Sequence, residues 1–367
     1  MRIAVLGGGH GGWAAAADLA ARGHAVRWWR RDARAHSQVQ SVGAITLTDG
    51  EGSRAVPLGD GDGAVEICTD LAHAVAAAHL VVVAVPATAH EDLAPRLVRL
   101  LTDGQVVLMP PGTFGSVLFG SAMAQADHRA EVAFAEAGTL PYLARRQGAE
   151  VVVSAYATRL PTGVFPERLS GRVYPVLRAA YPSIEECGDG LSGALMNAGP
   201  IIHPPLIMMN AGPLEHSDDW DIHNEGTQPA VRRVTDALDQ ERIALREALG
   251  YEGPHFPLAD HYRPGGDEWM YGDSAHQRLV DSDGWREPVE LTEHRYLQED
   301  TRLGLSLLVS LGRWTAVPTP VAAGLLSIAS ALVGKDLYAQ GRTLERLGLA
   351  GFTPGELQHF LQDGHRS

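Results

Sequence analysis

The N-terminal segment IAVLGGGHGGWAAAADLAARGHAVRWWRR (Ile3–Arg31) places a cluster of glycines between an apolar run and an alanine-rich stretch. The cluster contains the pattern Gly7-x-Gly9-x-x-Gly12. In a strand–turn–helix context, the first glycine permits a tight turn and the second lets a pyrophosphate approach the backbone. The third lets the helix pack closely on the strand. The segment therefore predicts a dinucleotide-binding βαβ unit, with the pyrophosphate at the N-terminus of the helix.

Strand and helix signals continue to alternate through the first half of the chain, which is typical of a doubly wound α/β domain. The first helix is predicted at Trp13–Arg22. The predicted strands are Ile3–Leu6, Ala25–Trp29, Leu80–Val85, Gln105–Leu108, Glu131–Ala135, Glu150–Ala157 and Arg172–Val176. Leu80–Val85 is rich in β-branched residues, as expected for a central parallel strand. We therefore predict a Rossmann-type domain over residues 1–188.

Helical periodicity dominates the second half. The predicted helices are Val231–Leu249, Glu299–Leu311, Pro320–Leu332 and Leu337–Leu347. Turn-rich pieces with scattered tryptophans separate them. The fold class predicted is therefore α/β, with an α-helical C-terminal domain over residues 189–367.

Two arginines follow the second strand, where an NAD-binding fold usually has an acidic residue for the ribose hydroxyls. Arg30 and Arg31 suit the 2′-phosphate of NADP(H). Asp32 leaves the alternative open, because a slip of one or two residues would present a carboxylate. NADP(H) is thus predicted to be preferred over NAD(H).

Charge and composition exclude several classes of partner. The formal net charge of −14 argues against nucleic acid and anionic membranes. The two cysteines, Cys68 and Cys187, predict neither a disulfide framework nor a metal site, and no metal is expected. A cytoplasmic location fits this cysteine usage. Lys335 is the sole lysine, so a catalytic lysine has almost no candidate.

The segment MNAGPIIHPPLIMMNAGPLE contains the polar residues Asn197, His203 and Asn210 in an otherwise apolar stretch. Pro204 predicts a helix start with His203 at its N-terminus. A lone histidine is more often structural than catalytic, and the chain has 16 histidines. The residues alone therefore leave the role of His203 open.

Several motifs, in order along the chain, resemble the octopine/nopaline dehydrogenase family, the opine dehydrogenases. They are GGGHGG, VPATAHEDLAPRL, PPGTFGS, EAGTLPYLARRQG, NAGPIIHPPLIMMNAGPLE, RYLQEDTRLGL, VPTP and GRTLERLGL. The family couples the amine of an amino acid to a 2-oxo acid and reduces the C=N bond with NAD(P)H. The resemblance implies an NAD(P)-dependent enzyme that acts on a small-molecule amino acid and 2-oxo acid, or on a preformed imine.

The resemblance also implies roles for individual residues. His203 matches the catalytic histidine, Asp300 its partner, and Arg295 an arginine that holds the oxo-acid carboxylate. Thr139 and Asn197 are expected to contact substrate. The expected cofactor-binding residues are Gly7, Gly9, His10, Gly11, Gly12, Arg30, Arg31, Val85 and Pro86. A histidine can exchange a proton near neutral pH, and a carboxylate on its other nitrogen fixes the tautomer.

The sequence departs from the family at Thr301 and Arg302, where an apolar residue and a proline are expected. The segment Asp218–Asn224 lies where substrate-selecting variation is expected. Two other functions remain open: an NADPH-dependent ketone or cyclic-imine reductase of specialised metabolism, and a non-catalytic NADP(H)-binding homologue. A homodimer is also left open.

Overall fold

The computed structural model describes residues 1–32, 36–266, 269–273, 275–281 and 289–365. Its contacts divide the chain into two compact units. The first consists of Met1–Val85, Ala89–Gly193 and Leu361–His365, and the second of Pro86–Thr88 and Ala194–Phe360. Each unit has its own architecture and is described separately.

The core of the first unit is an eight-stranded sheet. Its strands are β1 (Arg2–Leu6), β2 (Ala25–Trp29), β5 (Val65–Cys68), β6 (Leu80–Val83), β7 (Val106–Met109), β8 (Ala133–Ala137), β11 (Leu160–Phe165) and β12 (Ile184–Asp189). They lie in the order β12-β11-β8-β7-β6-β1-β2-β5. The chain runs outward from β1 through β2 to β5, then returns to β6 on the other side of β1. This reversal creates a topological switch point beside β1, where doubly wound folds bind their ligands.

The six strands from β5 to β8 in this order are parallel, whereas β11 pairs antiparallel with β8. All residues of β6 and β7 are buried, as expected for central strands covered on both faces. The Rossmann-type domain predicted from the glycine motif is confirmed.

A second, four-stranded sheet belongs to the same unit. Its strands are β3 (Ala44–Asp49), β4 (Gly52–Pro57), β9 (Tyr142–Gln147) and β10 (Glu150–Tyr156), in the order β4-β3-β10-β9. It consists of two hairpins joined by the parallel pair β10 and β3. The prediction that Glu150–Ala157 continues the doubly wound sheet was therefore wrong, because this strand pairs within the smaller sheet.

The helices of the first unit include α1 (His10–Ala21), α2 (Ser37–Val42), α3 (Leu71–Val75), α4 (His90–Leu97), α5 (Gly115–Gln125) and α6 (Ser170–Ala180). Helix α7 (Gly190–Ala194) follows β12. The strand predicted at Arg172–Val176 was wrong, since this segment lies in α6. The buried residues Val173, Leu177 and Ala180 of α6 have helical spacing, but the five residues of the predicted strand are too few to show this period.

The regular elements in the described residues of the second unit are all helices. Its helices are α8 (Gly199–Met209), α9 (Ala211–His216), α10 (Pro229–Ala248), α11 (Ala275–Asp281), a π-helix (Tyr296–Leu305), α12 (Ser306–Thr315) and α13 (Pro320–Val333). Helix α14 (Pro354–Asp363) is the last helix of the described chain. The α-helical character predicted for the second half is confirmed. None of the helices in the described part of the chain is both long enough and apolar enough to span a membrane.

The helix predicted at Leu337–Leu347 is absent, and this segment forms turns. Backbone bonds of single turns and two serines of α12 satisfy backbone groups of this segment, in place of a continuous helical ladder. The Leu344 N–H donates to Ser310 Oγ at 2.9 Å, and Ser306 Oγ donates to the carbonyl of Leu337 at 3.3 Å. The apolar spacing was thus compatible with a helix, but tertiary hydrogen bonds selected another backbone path.

Candidate active site

The glycine loop joins β1 to α1 and has the close contacts that the motif predicts. Gly7 has φ +135°, and a Cβ there would lie 2.1 Å from the carbonyl oxygen of Ala84. A Cβ on Gly12 would lie 2.4 Å from the carbonyl oxygen of Gly7. Both positions therefore exclude any side chain. A Cβ on Gly9 would meet nothing within 4 Å, so this part of the loop borders open space.

An aromatic residue of β2 supports the loop from within the unit. Trp28 is fully buried, and its Nε1–H donates to the carbonyl oxygen of Gly7 at 2.7 Å. The Trp28 ring packs edge-on against Trp13 at a centroid distance of 4.8 Å. Helix α1 begins at His10 with no side-chain cap on its N-terminus. A rigid loop ahead of an uncapped helix N-terminus fits a phosphate-bearing ligand.

The other predicted cofactor residues lie around this loop. A Cβ on Gly8 would lie 2.6 Å from Cζ of Arg30, whereas the Arg31 side chain is exposed. A Cβ on Gly7 would lie 3.3 Å from Cγ1 of Val85. His10 and Gly11 contact residues outside the loop. His10 Nδ1 accepts the N–H of Arg146, and Gly11 faces the side chain of Leu140.

Thr139 and Pro86 lie in the two segments that follow strands of the main sheet. Thr139 is half-buried between β8 and β9, in the same unit as the glycine loop. Pro86 opens the short segment Pro86–Thr88, whose contacts place it in the helical unit. Cofactor or substrate contact by these two residues remains a prediction.

The second unit brings His203 and Asp300 together. His203 lies in α8 and Asp300 in the π-helix, and His203 Nδ1 is 2.7 Å from Asp300 Oδ2. Their side chains are 13% and 5% exposed, respectively. With an uncharged imidazole, Nδ1–H donates to the carboxylate and Nε2 carries the lone pair. This is the arrangement of a histidine base oriented by a carboxylate.

Helix α8 begins earlier than the sequence predicted. It starts at Gly199, so His203 lies beyond the first turn and not at the helix N-terminus. A Cβ on Gly199 would lie 2.2 Å from Asp300 Oδ1, so glycine allows the helix to approach the carboxylate. Asn197 is buried, and its Oδ1 accepts the N–H of Gly199 at 3.0 Å. The contact therefore places Asn197 beside the pair, and its substrate contact remains a prediction.

Two residues without a sequence-predicted catalytic role hold the His203 ring. Tyr296 stacks on it with a centroid distance of 3.7 Å and an interplanar angle of 11°. The Tyr296 hydroxyl is 2.9 Å from His223 Nε2. His223 belongs to the segment where substrate-selecting variation was expected, and its ring centroid is 6.2 Å from that of His203. The sequence signal for Tyr296 was its place next to Arg295 in the motif RYLQEDTRLGL.

Burial and a neighbouring charge shift the pKa values of both His203 and Asp300. Burial lowers the pKa of His203 well below its ordinary value, and the positive charge of Arg295 acts in the same direction. Burial also raises the pKa of Asp300 to about 7, against the opposing effect of Arg295. Because burial disfavours both charged forms, the imidazole is uncharged at neutral pH.

The guanidinium of Arg295 carries a positive charge near His203 and Asp300. Its side chain is exposed to solvent, unlike those of Asp300 and Glu299. Desolvation acts to lower the pKa of Arg295, but Tyr296 and the two carboxyl groups outweigh this effect and raise it. An accessible guanidinium beside an uncharged imidazole can bind a carboxylate without displacing the histidine from Asp300.

Glu299 contacts the segment that follows β6. Its Oε1 accepts the N–H of Ala87 at 2.7 Å, and Arg342 Nη2 donates to the carbonyl oxygen of Ala87 at 3.0 Å. Both side chains are buried. Burial raises the pKa of Glu299 to about 7, Asp300 adds to the rise, and Arg295 opposes it. Buried side chains thus hold the Ala87 backbone on both sides, Glu299 at its N–H and Arg342 at its carbonyl oxygen.

Three potential metal ligands converge in the first unit, namely Glu66, Cys68 and His73. Glu66 already pairs with Arg27 at 2.9 Å and with His73 Nε2 at 2.6 Å. Burial raises the pKa of the Cys68 thiol to about 12, so the thiolate that a metal needs is disfavoured. This group fits an ion-pair network better than a metal centre.

Comparison with known proteins shows which enzymes this chain resembles. The sequence-family model described as NAD/NADP octopine/nopaline dehydrogenase, alpha-helical domain, matches residues 186–333. A second family model, described as NAD-dependent glycerol-3-phosphate dehydrogenase N-terminus, matches residues 2–111. An opine dehydrogenase from Arthrobacter sp. (strain 1C) is 29% identical over 366 residues, which cover 98% of each chain. The chain is therefore similar to the opine dehydrogenases over nearly its whole length. The resemblance stated from the motifs is confirmed.

Solved structures show the same fold. An octopine dehydrogenase in complex with NADH and L-arginine has a TM-score of 0.70 at 19% identity, covering 100% of this chain and 99% of that one. A yersinopine dehydrogenase bound to NADP+ has a TM-score of 0.66 at 16% identity, covering 98% of this chain and 97% of that one. The opine dehydrogenase fold thus extends over the whole chain.

Proposed function

We propose that this protein is an opine dehydrogenase that joins the amine of an amino acid to a 2-oxo acid and reduces the C=N bond, with NADPH preferred over NADH. The family and the relatives' names support NAD(P)-dependent chemistry at a C–N bond. The observation that carries the residue roles is the 2.7 Å contact between His203 Nδ1 and Asp300 Oδ2, with Arg295 beside it.

The glycine loop, with Gly7, Gly9 and Gly12, would hold the pyrophosphate of the nicotinamide nucleotide. Arg30 and Arg31 would contact the 2′-phosphate, since a guanidinium binds phosphate through a fork of N–H donors. When bound, the nucleotide supplies the hydride that converts the C=N bond to a secondary amine. The preference for NADP(H) rests on these two arginines.

His203 would act first as a base. Its uncharged Nε2 takes a proton from the ammonium group of the amino acid, which frees the nitrogen lone pair to attack the oxo carbon. The resulting imidazolium is stabilised by Asp300 and returns the proton to the hydroxyl that leaves as water. The net reaction consumes one amine, one oxo acid, one hydride and one proton, and releases one water.

Arg295 would hold the carboxylate of the 2-oxo acid in a bidentate contact. Such a contact fixes the plane of the oxo acid and so determines which face of the carbon is attacked. Thr139 and Asn197 would add polar contacts to the substrates. The segment Asp218–Asn224 places His223 near His203 and would contribute to the choice of amino acid.

A matrix of amino acids against 2-oxo acids, followed by loss of nicotinamide absorbance, tests the proposal. We expect oxidation of NADPH only when both substrates are present, with a secondary amine as the product by mass spectrometry. Oxidation with a ketone alone, or with a cyclic imine alone, would show a different reductase. Nucleotide binding without turnover of any pair would contradict the catalytic assignment.

A further inference from the structure

Arg146, in β9 of the small sheet, is anchored to the first turn of α1. Its backbone N–H donates to His10 Nδ1 at 2.9 Å. Its guanidinium carbon lies 4.4 Å from the centroid of the Trp13 ring. His10 and Trp13 are three residues apart and lie on neighbouring positions of the helix surface. Both the main chain and the side chain of Arg146 are therefore held against the helix turn that follows the glycine loop.

The contacts of Arg146 restrict its guanidinium. Besides packing on Trp13, its Nε donates to the carbonyl oxygen of Gly148 at 3.1 Å. Trp13 is fully buried, so the ring under the guanidinium is itself held in place by the core. A guanidinium restricted in this way loses little further freedom when it binds an anion, which favours tight and oriented binding.

A second guanidinium lies on the same loop. Arg30 follows β2, and its Cζ would be 2.6 Å from a Cβ on Gly8. Desolvation lowers the pKa of Arg30, and the positive charge of Arg146 lowers it further, while Asp32 partly opposes both. The two cations are thus close enough to repel each other. The first turn of α1, His10-Gly11-Gly12-Trp13, contains no acidic residue.

We propose that Arg146 acts with Arg30 to hold a phosphate group of the nicotinamide nucleotide, and that Arg146 is a specificity determinant for this cofactor. The inference rests on the proposed function, because it assigns the anion to the same nucleotide. A phosphate dianion between two guanidiniums would remove their repulsion and accept hydrogen bonds from both. Two groups share this chemistry: the 2′-phosphate of NADP(H), and the pyrophosphate common to NADP(H) and NAD(H).

The test is nucleotide binding by Arg146→Gln, without turnover. Dissociation constants for NADPH, NADH, 2′,5′-ADP and ADP are measured from the quenching of tryptophan fluorescence. Loss of one charge-assisted contact weakens binding by about ten-fold or more. The control is Arg129→Gln, which removes the same charge from a side chain that is 86% exposed, and should leave all four constants unchanged.

The pattern of loss identifies the phosphate. Weaker binding of NADPH and 2′,5′-ADP, with NADH and ADP unchanged, places Arg146 on the 2′-phosphate, and this is the result expected from the position of Arg30. Equal weakening of NADPH, NADH and ADP, which share the 5′-pyrophosphate that 2′,5′-ADP lacks, places Arg146 on the pyrophosphate and overturns its role in cofactor specificity. No change in any constant would overturn the proposal.

A second variant covers the case in which Arg146→Gln does not fold. Arg146→Lys keeps the charge but loses the planar group that packs on Trp13, so binding should weaken by a smaller factor. Unchanged binding by a folded Arg146→Lys, together with an unfolded Arg146→Gln, would assign Arg146 a structural role and overturn the proposal. Because no substrate is present, the result is independent of whether the enzyme forms secondary amines.

Discussion

The buried carboxyl group of Glu299 is expected to make the stability of this protein depend on pH in a way that one substitution removes. Burial raises its pKa from 4.5 to about 7. A carboxyl group with a raised pKa binds a proton more readily in the folded state. Stability is therefore greatest below the unfolded pKa and falls as the pH rises through the folded pKa.

The magnitude follows from the shift. A rise from 4.5 to about 7 corresponds to roughly 3 kcal/mol of destabilisation when the group is fully ionised, at about 1.4 kcal/mol for each pH unit. Glu299→Gln has nearly the same shape and keeps an oxygen that can accept the N–H of Ala87. It should therefore be more stable than the wild type by roughly 3 kcal/mol at pH 8.5, and by less than about 1 kcal/mol at pH 5.

Thermal unfolding at the two pH values measures this effect. The control is Glu293→Gln, the same chemical change at an exposed position of the same region, which should leave the difference between the two pH values unchanged. The relevant quantity is the difference in melting temperature between variant and wild type at each pH. If Glu299→Gln shifts the melting temperature equally at pH 5 and pH 8.5, the carboxyl group does not titrate in this range and the argument is wrong.

Three further sets of substitutions test the site. Replacing His203 with alanine should lower turnover by about two to four orders of magnitude with nearly unchanged nucleotide binding. Asp300→Asn should also be severe, because an amide can favour the wrong tautomer, and near-normal turnover in either variant would contradict the mechanism. Replacing Arg30 and Arg31 with alanine should weaken NADPH far more than NADH, by roughly 1.5–3 kcal/mol for each lost phosphate contact, as measured by fluorescence titration. Arg295→Lys should raise the Michaelis constant for the oxo acid with little change for NADPH, because the bidentate contact is lost. A rise confined to NADPH would instead place Arg295 on the nucleotide, and a change in melting temperature alone would make it structural.

Local patterns in the sequence determined the main architecture. The spacing of Gly7, Gly9 and Gly12 after an apolar strand can be interpreted from short-range geometry, because each glycine is needed by a contact within one βαβ unit. The parallel strands at the centre of the main sheet were predictable because both of their faces are buried, which leaves a nearly continuous apolar run. Helical periodicity likewise predicted most of the second unit.

The tertiary structure decided which distant residues meet. The small sheet was missed because its strands come from two separate parts of the chain, and only their pairing brings Arg146 onto the first turn of α1. The helix predicted at Leu337–Leu347 gave way to hydrogen bonds from serines that are more than 30 positions away in sequence. Such long-range partners leave no trace in local periodicity.

The π-helix decided the arrangement of the candidate catalytic groups. In an α-helix with 3.6 residues per turn, positions five residues apart diverge around the axis. The wider turn, closed by bonds of the i→i+5 type, places Arg295 and Asp300 on neighbouring positions, and Arg295 affects the pKa of Asp300. The residue types that could carry the chemistry were visible in the sequence. Which of these side chains meet, and how deeply they are buried, is decided by the packing of the helices. This burial in turn sets their protonation.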